Sequence, residues 1–286
     1  MISKAGFERT FQFLSMFRDG LICTVALSAL TVIFGFIFAL ILAVMRLSHV
    51  QPFRFLGIDK DGHLRDGGFL AALSRFNPLN FLATVYVEVF RATPMLVQLF
   101  IIYYIVFAPI KLPGFKLFGF IRFDRFLPGV IALSMNSGAY LCEIIRAGIQ
   151  SIDGGQTEAA RSLGMNQVQN MRFIVLPQAI KNILPAIANE FVTIIKESSI
   201  CYTIGVQEIM YAVASVKGAT FSIAEPLVVA TCVYFCLTFP TSKIIAYFER
   251  KMSVGDHRNG NESRVSKRAL QKAMLVTHEH ERKAKR

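Results

Sequence analysis

Long apolar segments, separated by shorter polar ones, make up most of the first 250 residues. The clearest of them, residues 21–45, holds 25 residues without a charged side chain. At about 1.5 Å per residue, a helix of that length crosses the roughly 30 Å hydrocarbon layer of a bilayer. Four further apolar segments are predicted as spans, at residues 79–110, 127–146, 183–206 and 226–246. The pattern therefore predicts an all-α, polytopic membrane helix bundle with about five transmembrane helices.

The two ends of the chain differ from this apolar middle. Residues 1–19 mix charged side chains with phenylalanines, which is typical of a segment lying at the membrane interface. Residues 20–250 are predicted as the transmembrane domain. Residues 251–286 are hydrophilic and basic, and we predict a cytoplasmic tail.

Polar side chains inside two of the spans are candidates for a solute path. The segment 183–206 is the most polar, and lipid does not tolerate such side chains on every face, so this helix is predicted to be central in the bundle. Small or polar residues also interrupt the segment 127–146, where they suit close helix packing or a polar path. The candidate path residues are Asn136, Ser137, Asn189, Glu190, Thr193 and Lys196.

A charged pair precedes a proline in the segment 79–110. Glu88 and Arg91 are three residues apart, so on a helix they share a face and can pair. Such a pair is costly in a membrane unless it is buried in the bundle or near the interface. We interpret Glu88 and Arg91 as an ion pair that positions the helix, with direct substrate contact as the alternative.

Composition and motifs exclude several classes of function. Hydrophobic residues make up 53% of the chain and charged residues 17%, against roughly 25% charged in soluble domains. The net charge of +12 is typical of basic cytoplasmic loops facing anionic lipid, and no motif organises it for nucleic acid. The five cysteines have no metal-ligand spacing, and we find no zinc-protease helix or nucleophile elbow. No catalytic residue and no metal site is predicted.

The polar stretch at residues 154–177 has the pattern of two short helices joined by a glycine. Glu158, Ala159 and Ala160 open a helix-forming run, and Gly164 interrupts it, because glycine readily adopts the left-handed conformation that ends a helix. A second run follows. Because the residue before a proline is biased away from helix, Leu176 and Pro177 predict a boundary there.

The spacing of this stretch resembles the cytoplasmic coupling loop of ABC importer permeases. The family pattern is EAA, three residues, G, nine residues and I-x-L-P, and every spacing is kept here. Residues 86–94 resemble the Y-x-E-x-x-R-[GA]-T-P signature of the amino-acid branch of that family. Residues 136–149 match its N-S-G-A-Y-x-x-E-x-x-R-x-G-I run, and residues 196–200 resemble its K-[DE]-[TS]-S-L. The resemblance covers about residues 20–250 and is specific to permeases for polar amino acids.

The resemblance implies a permease subunit of an ATP-driven amino-acid importer, multi-pass in a bacterial inner membrane. It implies that the ATPase-coupling residues are Glu158, Ala159, Ala160, Gly164, Ile174, Leu176 and Pro177. The chain has no phosphate-binding G-x-x-x-x-G-K-[ST] loop, so ATP and Mg are expected on a partner ATPase and the chain itself is not expected to be an enzyme. The implied partners are ABC ATPase subunits, a second permease subunit in a homo- or heterodimer, an extracytoplasmic solute-binding protein and an amino acid.

The sequence constrains the membrane orientation and the substrate less tightly than it constrains the family. The distribution of Lys and Arg favours an outer N-terminus and a cytoplasmic C-terminus, although much of the excess comes from the tail. Glu190 on the central helix favours a basic amino acid, unless it pairs instead with Lys196 or with another helix. The alternative function is a membrane signalling or scaffold subunit derived from such a permease, and the intact spacing of the coupling loop argues against it.

Overall fold

The computed structural model describes residues 2–48, 50–54, 68 and 73–251, and helices dominate them. The N-terminal helices are α1 (Lys4–Phe11) and α2 (Leu14–Leu47), followed by α3 (Pro78–Ala92) and α4 (Met95–Phe100). The helical path of α4 continues as a π-helix, Ile101–Phe107, and a 3-10 turn, Ala108–Ile110. A short antiparallel hairpin then pairs β1 (Lys116–Leu117) with β2 (Ile121–Arg122), with Lys116 opposite Arg122.

The second half begins with α5 (Phe123–Gln150), which leads into the short helices α6 (Gly154–Ser162) and α7 (Gln167–Asn170). A π-helical segment, Met171–Val175, joins α7 to α8 (Leu176–Glu197), and a 3-10 segment, Ser198–Ile204, follows. The last helices are α9 (Ile209–Thr220) and α10 (Ala224–Lys251). Residues 1–241 form one compact unit, and the described part of the second unit is the end of α10. The predicted tail 251–286 lies outside the described residues except for Lys251.

The first long helix is longer than the apolar run that predicted it. It begins at Leu14 rather than at residue 21, so the second part of the predicted interfacial segment belongs to α2. The first part forms α1, where the Ser3 side chain accepts a hydrogen bond from the Gly6 N–H at 3.0 Å and caps the helix. Arg18 and Asp19 are therefore inside a helix and not in a loop before it.

Membrane-crossing candidates can be counted among the described residues. Two helices, α2 and α10, are individually long and apolar enough, and two bent pairs of helices bring the number to four if each pair is one span. The pairs are Pro78–Ala92 with Met95–Ile110, bent by 110°, and Gln167–Ile204 with Ile209–Thr220, bent by 44°. Helix α5 is more polar but has 28 residues, about 42 Å at the helical rise. Counting α5, the described chain agrees with the predicted bundle of about five spans.

The centre of the bundle is the contact between α2 and α5. More than half of the residues of α5 are buried, and α2 faces it with a row of small residues that includes Thr31 and Gly35. A Cβ at Gly35 would lie 3.3 Å from the side chain of Ser137, so the two backbones approach closely. Because α5 ends at Gln150 and only three residues separate it from α6, one helix and a short turn connect the core to the predicted coupling loop.

Candidate functional site

The predicted coupling loop, residues 154–177, begins with a capped helix and a glycine turn. The Asp153 carboxylate accepts a hydrogen bond from the Gly155 N–H at 2.9 Å and caps α6. Helix α6 ends in a reversal in which Gly164 has a φ of +83° and its N–H donates to the Arg161 carbonyl at 3.0 Å. The next N–H, from Met165, donates to the Ala160 carbonyl at 3.1 Å. This left-handed ending is the one predicted for Gly164 from the sequence.

The second helix of the loop does not end where the sequence predicted. Asn166 and Gln169 form a capping box at its start, each side chain accepting from the other's N–H at 2.9 Å. The predicted boundary at Leu176 and Pro177 is wrong, because the helical path continues into α8. The Leu176 N–H donates to the carbonyl of Met171, five residues earlier, and this wider turn admits Pro177 in the first turn of α8, where the missing proline N–H is tolerated.

Side-chain hydrogen bonds fasten the loop to the helices on either side. Gln178 on α8 donates to the Gln156 side chain on α6 at 2.8 Å. Asn182 on α8 donates to the Ser151 hydroxyl, at the end of α5, at 2.9 Å. Within the loop, Asn170 donates to the hydroxyl of Thr157 at 3.2 Å. The loop is therefore a braced unit between α5 and α8.

The outer surface of the loop combines polar residues with exposed apolar side chains. Leu163, Val168 and Phe173 are 85%, 75% and 60% exposed. Among the predicted coupling residues, Ala160 is buried and Ile174 is half-buried; the others, Glu158, Ala159, Gly164, Leu176 and Pro177, are exposed. Sequence reasoning missed the three apolar side chains. Their signal was the presence of large apolar residues in a stretch too polar to enter the membrane.

The predicted path residues of α8 lie on an open side of this chain. Asn189 and Lys196 are exposed, whereas Glu190 and Thr193 are half-buried. Ser137, the predicted path residue on α5 that packs against α2, is buried, and its hydroxyl has no hydrogen-bond partner among the described residues. In the described part of the chain, no ion pair joins Glu190 to Lys196, so the suggested pairing of these two is not present.

A cavity of about 480 Å³ includes one of the predicted path residues, Lys196, in its lining. Its lining residues are Leu96, Lys196, Ser199, Ile200, Tyr202, Thr203, Met210 and Tyr234. One wall is mostly aliphatic, and the rest carries hydroxyl groups and one ammonium group. Such a cavity can hold a small molecule that is partly apolar and partly polar.

The structure places Asn136 in a hydrogen-bond network away from the open side. Asn136 is buried, and its amide donates to the Gln98 side-chain oxygen at 2.8 Å. Gln98 in turn donates to the Phe90 carbonyl at 2.8 Å and to the Thr93 hydroxyl at 2.7 Å. These groups lie at the 110° bend between α3 and α4, where the backbone carbonyls lose their helical partners. We call Asn136, Gln98 and Thr93 the bend network.

The predicted ion pair between Glu88 and Arg91 is not formed. Both side chains are exposed, and no ion pair of the described residues joins them. The Arg91 guanidinium lies over the ring of Tyr140, with 5.7 Å from its central carbon to the ring centroid. Helical spacing allows Glu88 and Arg91 to pair. In the structure, however, the Arg91 guanidinium makes a cation–π contact with the ring of Tyr140 on α5.

The chain is similar in sequence to known transport proteins. Residues 67–254 match the family described as binding-protein-dependent transport system inner membrane component. The arginine transport system permease protein ArtQ of Bacillus subtilis (strain 168) is 43% identical over 187 residues, which cover 65% of this chain and 81% of ArtQ. A putative glutamine transport system permease protein, GlnP of Rickettsia conorii, is 36% identical over 82% of this chain and 92% of its own length.

Solved structures agree with the relatives. A structure described as an amino acid ABC transporter with histidines superposes with a TM-score of 0.71 and is 36% identical, covering 88% of this chain and 100% of that one. The MetNI methionine ABC transporter in an inward-facing conformation shares the fold, with a TM-score of 0.60 at 15% identity. By its sequence match and its relatives, the chain belongs to the family of binding-protein-dependent transport system inner membrane components.

Proposed function

We propose that this chain is the permease subunit of an ATP-driven importer of polar amino acids, which forms part of the translocation path and is driven by a separate ATPase. The observation that carries the proposal is the coupling loop. It is braced to α5 and α8 and presents three exposed apolar side chains, Leu163, Val168 and Phe173, on an otherwise polar stretch. Exposed apolar patches rimmed by polar residues are typical of protein interfaces. The occupant we propose is the ATPase, which carries ATP and Mg.

The coupling mechanism follows from how the loop is attached. Closure of a pair of ATPase subunits would displace the loop, and the hydrogen bonds from Gln178 and Asn182 would pass the displacement to α8. Since α8 carries Glu190 and Lys196 on its open side, its movement would change access to the path from one face of the membrane to the other. A second permease subunit facing that open side and an extracytoplasmic solute-binding protein complete the proposed assembly in a bacterial inner membrane. The N-terminus would be outside and the C-terminus in the cytoplasm.

Amino acids are the proposed cargo because named relatives transport arginine or glutamine and because the path carries both signs of charge. The half-buried Glu190 carboxyl can accept from an ammonium or guanidinium group, and the Lys196 ammonium can hold a carboxylate. This pairing favours a basic amino acid. Replacement Glu190→Gln removes the charge and keeps the shape, so we expect uptake of basic amino acids to fall more than that of glutamine.

The experiment is uptake of labelled arginine, lysine, histidine, glutamine and glutamate by cells with and without this chain. The variant Gly164→Pro tests coupling through this turn, because proline cannot adopt a φ of +83° and lacks the N–H that donates to the Arg161 carbonyl. Loss of uptake in cells lacking the chain, reproduced by Gly164→Pro, supports an ATP-coupled importer. Normal uptake of all five amino acids by cells lacking the chain would contradict the proposed cargo, and full uptake by Gly164→Pro would contradict coupling through this loop.

A further inference from the structure

A cluster of three charged residues joins the two central helices next to the coupling loop. The Glu143 carboxylate on α5 binds Arg46, in the last turn of α2, through one oxygen. Its other oxygen accepts from Arg146, at 3.0 Å from Nε and 2.7 Å from Nη2. Arg146 also donates to the side chain of Gln150, the last residue of α5, at 3.1 Å. We call Arg46, Glu143 and Arg146 the arginine cluster.

Burial makes the cluster sensitive to the loss of its carboxylate. The side chains of Arg46 and Glu143 are only 13% and 16% exposed, and that of Arg146 is 38% exposed. Two guanidinium groups share one carboxylate, so removing the negative charge leaves two cations close together, and one of them, Arg46, has little access to water. Breaking such a pair from one side is much more disruptive than losing a surface ion pair.

The position of the cluster gives it a mechanical role. From Gln150 the chain passes through Ser151, which accepts from Asn182 of α8, and then into the Asp153 cap of α6. Helix α2 reaches the same end of the bundle through Arg46. Among the described residues, the hydrogen bond from Arg46 to Glu143 joins the last turn of α2 to α5 near the end of that helix.

We propose that Glu143 is a positioning residue that fixes the end of α2 to the end of α5 through Arg46 and Arg146, so that movement of the coupling loop is transmitted to α2 as well as to α8. This inference rests on the proposed ATPase-driven function of the loop. Glu143 touches neither ATP nor substrate in this scheme. Loss of Glu143 would leave the ATPase docked and active, but fewer solute molecules would be transported for each ATP hydrolysed.

The test measures ATP hydrolysis and amino-acid uptake in the same proteoliposomes, which contain the full chain, its second permease subunit, its ATPase and its solute-binding protein. Labelled arginine and glutamine are the probes. For Glu143→Gln we expect ATP hydrolysis within about twofold of wild type and uptake per ATP lower by at least about fivefold. Arg46→Lys keeps the positive charge but replaces the planar guanidinium with an ammonium group. Uptake per ATP in this variant should lie between the values for Glu143→Gln and for wild type.

The matched control is Arg18→Gln, which breaks the exposed pair with Asp19 and should leave the ratio unchanged. Thermal unfolding of each purified complex identifies a variant that fails to fold, and Arg46→Lys then provides the measurement in its place. If hydrolysis and uptake fall in parallel in folded variants, or if uptake per ATP is unchanged, the inference is overturned, provided that the wild-type complex transports. A wild-type complex without ATP-dependent uptake would overturn the proposed function, and the inference with it.

Discussion

The turn at Gly164 offers the sharpest test of the coupling loop, because the perturbation is confined to the backbone. Gly164 has a φ of +83°, and no atom lies within 4 Å of the position that a Cβ would occupy. Gly164→Ala therefore adds conformational strain without a steric clash. For an L-residue, the left-handed conformation costs roughly 1–2 kcal/mol.

That strain acts on the docking surface and not on the membrane core. If the alanine variant relaxes out of the native turn when free and must return to it when bound, the ATPase loses about 1–2 kcal/mol of binding free energy, equivalent to a factor of about 5–30 in Kd. Asparagine tolerates the left-handed region better than alanine, so Gly164→Asn should weaken binding less. The assay is titration of the ATPase subunit against the permease in nanodiscs, together with uptake.

Gly154 provides the matched control in the same loop. It is also exposed with no atom within 4 Å of a Cβ, but it lies in the first turn of α6 without a positive φ. Gly154→Ala should bind the ATPase as tightly as wild type. Equal affinities for the Gly164→Ala, Gly154→Ala and wild-type chains would refute the argument that this turn presents the docking surface.

Two further predictions concern the packing of α5. Asn136→Leu removes the amide that donates to the Gln98 side chain at 2.8 Å and leaves a buried oxygen unsatisfied. Thermal unfolding should therefore show a loss of about 1–3 kcal/mol in the free energy of unfolding. Thr84→Ala, which removes an exposed contact on α3, is the control and should lose far less. Gly148→Ala places a Cβ against Ile183 on α8 and should cost about 1–3 kcal/mol of stability. The double variant with Ile183→Ala should lose less than the sum of the two single losses, and additive losses would contradict the clash.

The sequence predicted those features that depend on local chemistry. The uninterrupted apolar run of residues 21–45 predicted a spanning helix, because length and hydrophobicity alone decide that outcome. Gly164 predicted the left-handed turn, because few other residues adopt that conformation readily. The residue pattern predicted two short helices at residues 154–177, and the structure has α6 and α7 there; the role of this loop in coupling to an ATPase stays a prediction.

The errors arise where a partner distant in sequence decides the outcome. Helical spacing allowed Arg91 to pair with Glu88, but Tyr140, on another helix, lies under the guanidinium. Asn136, predicted to serve close helix packing or a polar path, stays a candidate for that role, but its hydrogen-bond partner was not predicted. Its neighbour Gln98 is 38 positions away, and nothing local indicates that the two meet at the bend between α3 and α4.

The π-helical segment before Pro177 constrains how long this part of the chain can be. Its hydrogen bond from Leu176 to Met171 spans one residue more than an ordinary helical turn. Deleting one residue from 171–175 would allow a regular helix, but it would rotate α8 by about 100° relative to α6 and α7. Glu190 and Lys196 would then face a different neighbour, while the loop below kept its shape. The extra residue therefore sets the rotation of α8 relative to α6 and α7, that is, of the proposed path residues relative to the proposed ATPase-docking surface. We expect single-residue insertions and deletions here to abolish transport even where substitutions are tolerated.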